Sequence, residues 1–279
     1  DRPAASGLRT HEAPVGRELI SVDDTMLAVT LVRAAGGVAH DMRADGLAVD
    51  TKGHPSEVVT AADRAAENLV ARVLREERPH DGLLAEEGAG VASRSGRTWV
   101  VDPVDGTWNY VHGLPTWCAA VAVRDDSTGL ALASAVYQPV GDTLWVTGDD
   151  WPTTVSVRSA TTTLKRPADA PLATVSLGTY LHATTSGDLL QTWLRLCQGA
   201  ATVRILGSGS VDLSFVAEGR LGAFAQPDVS DWDWLPGATL VRGAGGVAEV
   251  VEHGGHRWHF AGSARAVADL TALLSQPAP

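Results

Sequence analysis

Residues 98–109 read TWVVDPVDGTWN. Trp99, Val100 and Val101 favour an extended strand, and they run without a break into Asp102, Pro103, Val104 and Asp105. The segment therefore reads as a buried strand that ends on two carboxylates. Like charges that close repel, unless something positive sits between them. A divalent cation such as Mg²⁺ resolves the conflict, because it takes hard oxygen ligands, only a few of them from protein. Pro103 removes a backbone donor and locks its own φ angle. Gly106 lets the backbone approach a ligand closely, and free N–H groups at the start of a helical turn bind phosphate. The bland alternative is an Asp-Pro turn with both carboxylates in water.

Other acids follow the same habit. Glu86 and Glu87 end the apolar run of DGLLAEEGAG. Adjacent strand residues face opposite sides, so one of the two is expected at a site. Thr60 and Asp63 in VVTAAD have capping-box spacing, which by itself accounts for Asp63 structurally. Asp233 in PDVSDWDWLPG precedes a helix with Pro236 in its first turn, and an N-cap role suits it. Asp231 and Asp233 also form a DxD pair of the kind that binds a metal–nucleotide sugar. An EF-hand starting at Asp102 would need Glu where Gly113 stands. The chain contains no GxxxxGK[ST] phosphate loop. His253, His256 and His259 sit in an expected hairpin, do not share one face, and read as exposed turn imidazoles.

The net charge of −11 and the lack of a basic cluster argue against nucleic acid as a partner. Lys52 and Lys165 are the only lysines, so metals and backbone amides would have to supply the positive field around a bound anion. No window approaches the roughly 18 apolar residues of a membrane span, and no basic-then-apolar signal peptide opens the chain. Cys118 and Cys197 read as buried thiols in a reducing compartment, which places the chain in the cytoplasm. Residues 1–18 read as a loose tail. Helices are expected over 22–42, 61–76, 187–198, 209–218, 233–246 and 263–274. Strands are expected at 99–104, on either side of the DDSTG turn within 118–139, and at 143–148, 173–178, 202–207 and 222–227, with a hairpin over 247–260. The Thr/Ser/Pro-rich segment 151–171 is the candidate boundary between an N-terminal lobe over 19–152 and a C-terminal lobe over 170–276. Strands and helices mix throughout, which favours a layered α/β architecture.

Taken in order, Asp63 in VVTAAD, Glu86 in LLAEEG, WVVDPVDGTWN and Asp233 in DWDWLPGATLVRGAGG resemble the inositol monophosphatase family, Mg²⁺-dependent, lithium-sensitive phosphatases related to fructose-1,6-bisphosphatase. The likeness spans roughly residues 20–270. It implies an αβαβα sandwich of two lobes, a homodimer, and two or three Mg²⁺ ions at the lobe junction. Glu86, Asp102, Asp105, Asp233 and the Val104 carbonyl would be metal ligands. Gly106 and Thr107 would offer amides to phosphate. Thr107, buttressed by Asp63, would with Glu86 prepare the attacking water. Lys52 would stand behind the site, and Asp105, Ser208, Gly209 and Gln226 would form the substrate rim. The expected activity is hydrolysis of a small polyol or sugar phosphate, inositol monophosphate by default. Histidinol phosphate, fructose 1,6-bisphosphate and 3′-phosphoadenosine 5′-phosphate are the alternatives, and a metal-binding regulator without turnover is another. The rim departs from the family pattern. Gln226 stands where sugar-alcohol-specific members carry an acid, Trp234, Leu235 and Pro236 replace small residues, and GDDWPTTVSVRS replaces a Gly-rich stretch.

Overall fold

A computed structural model describes residues 22–44, 49–51 and 58–276. The elements in chain order are α1 (Val22–Ala44), β1 (Val49–Thr51), β2 (Val58–Thr60), α2 (Ala61–Glu77), β3 (Gly82–Ala85), β4 (Gly90–Val91), β5 (Arg97–Asp105) and α3 (Thr107–Val111). Then come β6 (Cys118–Asp125), β7 (Ala131–Gln138), β8 (Thr143–Gly148), β9 (Trp151–Val157), β10 (Ala160–Thr163) and β11 (Ser176–Gly178). The chain finishes with α4 (Gly187–Gly199), β12 (Thr202–Arg204), α5 (Gly209–Ala217), β13 (Ala223–Pro227), α6 (Asp231–Gly243), β14 (Val247–His253), β15 (His256–Gly262) and α7 (Ala264–Leu274). The loose tail expected over 1–18 lies outside the described residues, as does Lys52.

Side-chain alternation along the strands explains the layers. On β5, Trp99 and Val101 join Val121, Val123 and Ala135 in a core under α1 and α2. Val100 faces the other way and joins Cys118, Ala120, Trp145, Leu213 and Ala238 in a core with α5 and α6. The eight-stranded sheet, ordered β10-β9-β8-β7-β6-β5-β3-β4, is thus covered on both faces, and its central strands read as almost unbroken apolar runs. The five-stranded sheet, ordered β12-β11-β13-β15-β14, lies on the far side of α5 and α6. Its outer face packs Leu177, Phe260 and Trp258 against Leu196 of α4 and Leu270 of α7. The result is the expected αβαβα sandwich.

A helix between two sheets has no solvated face. α6 accordingly buries every residue from Trp234 to Val241. Gly237 is what lets α5 come so close: a Cβ there would fall 2.3 Å from the Leu213 Cβ. At the opposite surface, buried Asp24 of α1 accepts from Arg78 Nε at 2.9 Å and Arg97 Nη1 at 3.2 Å, which ties α1 to the end of α2 and the start of β5.

Within the Thr/Ser-rich segment 151–171, β9 and β10 form a hairpin that extends the large sheet. Thr and Val favour strands whatever their company. Two local expectations are corrected. α6 starts at Asp231 with Ser230 as N-cap, so Pro236 lies inside the helix rather than in its first turn. The hairpin imidazoles are not all exposed. His259 is buried, with its ring edge-on to Trp234 at 5.0 Å, and burial pushes its pKa down to about 4. His256 Nδ1 bonds to the Asp228 carboxylate.

Candidate active site

Two aspartates three residues apart on a regular strand would point to opposite faces. β5 is not regular there. Asp102 pairs with Ala120 and Asp105 with Cys118, so three steps on β5 match two on β6. This is a β-bulge, which tolerates the donorless Pro103 inside a central strand. The extra residue turns both carboxylates toward the α5–α6 layer, the face that holds Ala120 and Cys118. There they meet the first turn of α6, which carries Asp233. Asp102, Asp105 and Asp233 each bring an oxygen to within 4.8 Å of the others. Opposite ligands of a Mg²⁺ ion are about 4.2 Å apart, so the spacing suits one shared cation after a small side-chain rotation.

The electrostatics match that reading. Asp102 and Asp105 are buried, and neither takes part in an ion pair among the described residues. Burial raises the Asp102 pKa well above the usual carboxylate range, with Glu86 as its strongest charged neighbour, then Asp105 and Asp233. Burial also raises Asp105, against the pull of its hydrogen bonds. Val104 N–H donates to Asp102 Oδ1 at 3.0 Å. Gly209 and Ser210 N–H donate to Asp105 at 3.2 and 2.6 Å, so the carboxylate sits on the amides that start α5. An all-oxygen acidic donor set fits a hard cation such as Mg²⁺, Mn²⁺ or Ca²⁺.

Beside the cluster, Thr107 Oγ1 lies 3.3 Å from Asp63 Oδ1 and 3.0 Å from the Val104 carbonyl. Its single proton has two acceptors to choose between. The Thr60–Asp63 capping box is present, and the other Asp63 oxygen accepts from Thr60 N–H at 2.8 Å. Asp63 thus does both jobs, capping α2 and reaching Thr107. Burial raises its pKa. Gly106 sits at φ +91°, and a Cβ there would come within 3.0 Å of the Gly207 and Thr116 carbonyls. Only glycine fits this turn.

Glu86 lies in the turn after β3, not in the strand, and outside the 4.8 Å group. Of the rim residues, Ser208 is buried as the N-cap of α5, and Gly209 gives its N–H to Asp105. Gln226 is half-buried on β13 opposite His259. Asp231 does not join Asp233. It pairs with Arg124 Nη1 at 2.9 Å, in a separate groove of about 770 Å³ that holds none of the clustered acids. The DxD reading is therefore set aside. Cys118 and Cys197 form no disulfide. Cys197 is half-buried rather than buried, and burial pushes its thiol up to about 12 and Cys118 well above its usual value.

Sequence reasoning assigned no role to Asn109. Its Nδ2 lies 2.6 Å from the Thr116 carbonyl and 2.7 Å from that of Leu206, latching the 106–109 turn to the loop that leads into α5. The asparagine of the DGTWN run was the available signal. Asp212, one turn into α5, is a buried acid with no sequence cue, and its Oδ1 has no hydrogen-bond partner among the described residues.

Residues 22–274 match the inositol monophosphatase family. The chain belongs to that family. It is thus a phosphoric monoester hydrolase by class, in a metal-dependent family. It is similar to the inositol-1-monophosphatase of Rhizobium meliloti, 32% identical over 235 residues that cover 82% of this chain and 86% of the relative. It is also similar to the histidinol-phosphatase of Mycobacterium tuberculosis, 34% identical over 238 residues that cover 81% and 87%. Among solved structures, the extragenic suppressor protein suhB of Bartonella henselae superposes with a TM-score of 0.79 at 25% identity, covering 91% of this chain and 99% of that one. No described helix is long and apolar enough to cross a membrane.

Proposed function

We propose that this inositol monophosphatase family member hydrolyses a small polyol or sugar phosphate, with inositol monophosphate as the default substrate and Mg²⁺ as the metal. The observation that carries the reading is the convergence of Asp102, Asp105 and Asp233 within 4.8 Å beside the Thr107–Asp63 pair. Those three acids, Glu86 and the Val104 carbonyl would hold two or three ions. Bound Mg²⁺ would neutralise the phosphate dianion, acidify a water and stabilise the departing alkoxide.

The chain's own groups do the positioning. Gly106 and Thr107 present backbone N–H groups to the phosphate. A cation held by the Val104 carbonyl would leave Asp63 as the acceptor of the Thr107 hydroxyl proton. The hydroxyl oxygen then accepts from the attacking water, and Glu86 takes the water's proton. Both thiols are raised in pKa, so neither competes as a nucleophile at neutral pH. Ser208, Gly209, Asp105 and Gln226 would form the rim, and the family resemblance assigns Lys52 a supporting role. A homodimer comes with the reading from the family resemblance, and a cytoplasmic location from the two thiols, which form no disulfide.

Histidinol phosphate is the second reading. It is favoured by the 34% identical relative named for that substrate and by uncharged Gln226 at the rim. Phosphate release from a panel of inositol, histidinol, sugar and nucleotide monoesters decides between them. The default stands if inositol monophosphate has the highest kcat/KM, and gives way if histidinol phosphate exceeds it tenfold. If no monoester is cleaved while the protein still binds Mg²⁺, the chain is a regulator without turnover and the proposal fails.

A further inference from the structure

α2 carries a second buried acid on the face that presents Asp63. Glu67 follows one helical turn later, on a surface otherwise made of Ala62, Ala66, Val70 and Leu74. A buried carboxylate among such neighbours must be ion-paired or hydrogen-bonded. Glu67 forms no ion pair among the described residues. Its Oε2 accepts from Glu87 N–H at 2.7 Å and its Oε1 from Ala89 N–H at 2.9 Å. Both amides belong to the turn that opens with Glu86. Charge-assisted bonds of this kind are about twice as strong as the neutral bonds of an ordinary turn.

The same turn is fixed from its other side. Glu86 N–H donates to the Val101 carbonyl at 3.3 Å, immediately before Asp102. Ala85 N–H donates to the Ala89 carbonyl at 3.1 Å and closes the turn on itself. Glu86 is therefore held between β5 and α2, with its side chain as the strongest charged neighbour of Asp102.

We infer that Glu67 is a positioning residue for Glu86: by gripping the amides of Glu87 and Ala89, it sets the turn that delivers the Glu86 carboxylate to the aspartate cluster. α2 would then organise the site twice, through Asp63 on Thr107 and through Glu67 on Glu86. The inference rests on the proposed role of Glu86 as a metal ligand.

The test uses the full chain and Mn²⁺ as the calorimetric probe. Glu67→Ala should weaken Mn²⁺ binding by about 10- to 100-fold, the usual effect of losing a group that orients a ligand. It should also speed amide exchange at Glu87 and Ala89 in the metal-free protein. Combined with Glu86→Gln it should add less than a twofold further loss, because it acts through Glu86. Glu67→Gln keeps the shape and one acceptor oxygen, so it should lose several-fold and serves if the alanine variant does not fold. The inference is overturned if the variant binds Mn²⁺ within twofold of wild type, or if the two losses multiply in the double variant. If wild-type protein binds no Mn²⁺, the functional reading itself has failed, a result distinct from the other two.

Discussion

Asp102→Asn should make the metal-free protein more stable while it removes activity. Two unit charges 4.8 Å apart repel by about 3.5 kcal/mol at an effective dielectric constant of about 20. Asp102 faces Asp105, Asp233 and Glu86, so several such contacts act on one carboxylate. Proton uptake relieves part of that repulsion, and a net gain of about 2 kcal/mol is the expected size for the amide. For a chain of this length that is roughly 3–4 °C in Tm. The amide oxygen still accepts from Val104 N–H, so the bulge keeps its geometry.

The pH dependence follows from the sign of the shift. The folded-state pKa of Asp102 is raised, so its favourable contribution is complete below the unfolded value of about 4 and is lost as pH rises through the folded value. The stability gap between variant and wild type should therefore be wide at pH 8 and narrow at pH 5. The assay is thermal unfolding in EDTA and in excess Mg²⁺ at both pH values. Mg²⁺ at 100 times its Kd should raise wild-type stability by about 2.7 kcal/mol and raise the variant far less. A variant that is less stable than wild type in EDTA at pH 8 would refute the reasoning, because Asp102 would then be held by a stabilising partner rather than repelled.

Other consequences are as direct. Gly106→Ala places a Cβ against two backbone carbonyls at φ +91°; left-handed strain of about 1–2 kcal/mol plus that clash should lower Tm by several degrees and abolish turnover, read by calorimetric melting and phosphate release. Thr107→Ala should cut kcat by about 10²- to 10⁴-fold with the half-saturating Mg²⁺ concentration unchanged, while Thr107→Ser stays within roughly tenfold of wild type. His259 has a folded pKa of about 4, below the usual 6.5, so wild type should lose stability as pH falls from 6.5 through 4, and His259→Gln should flatten that slope in denaturant titrations.

The parts of this structure that are legible in the sequence are those where one residue type has one physical use. The apolar run of β5, the capping box of Thr60 and Asp63, and the spacing of α2 each declare themselves. What stays hidden depends on register or on a distant partner. Periodicity alone sends Asp102 and Asp105 to opposite faces, and only the pairing with β6 reveals the bulge that reunites them. Asp231 and Asp233 look equivalent, yet Arg124, which decides the difference, lies more than a hundred residues away. The Thr-rich β9–β10 hairpin reads as a connection because its outer strand is exposed throughout. Glu67 left a faint trace, as a charge on the apolar face of an amphipathic helix.

The most direct test of the account follows the metal-stripped wild-type chain through a Mg²⁺ titration with inositol monophosphate and histidinol phosphate present in separate runs. Phosphate release should rise saturably from zero with Mg²⁺ and return to zero on adding EDTA. Release that proceeds at full rate in EDTA, or that Asp233→Asn leaves untouched, would contradict a catalytic role for the three clustered aspartates.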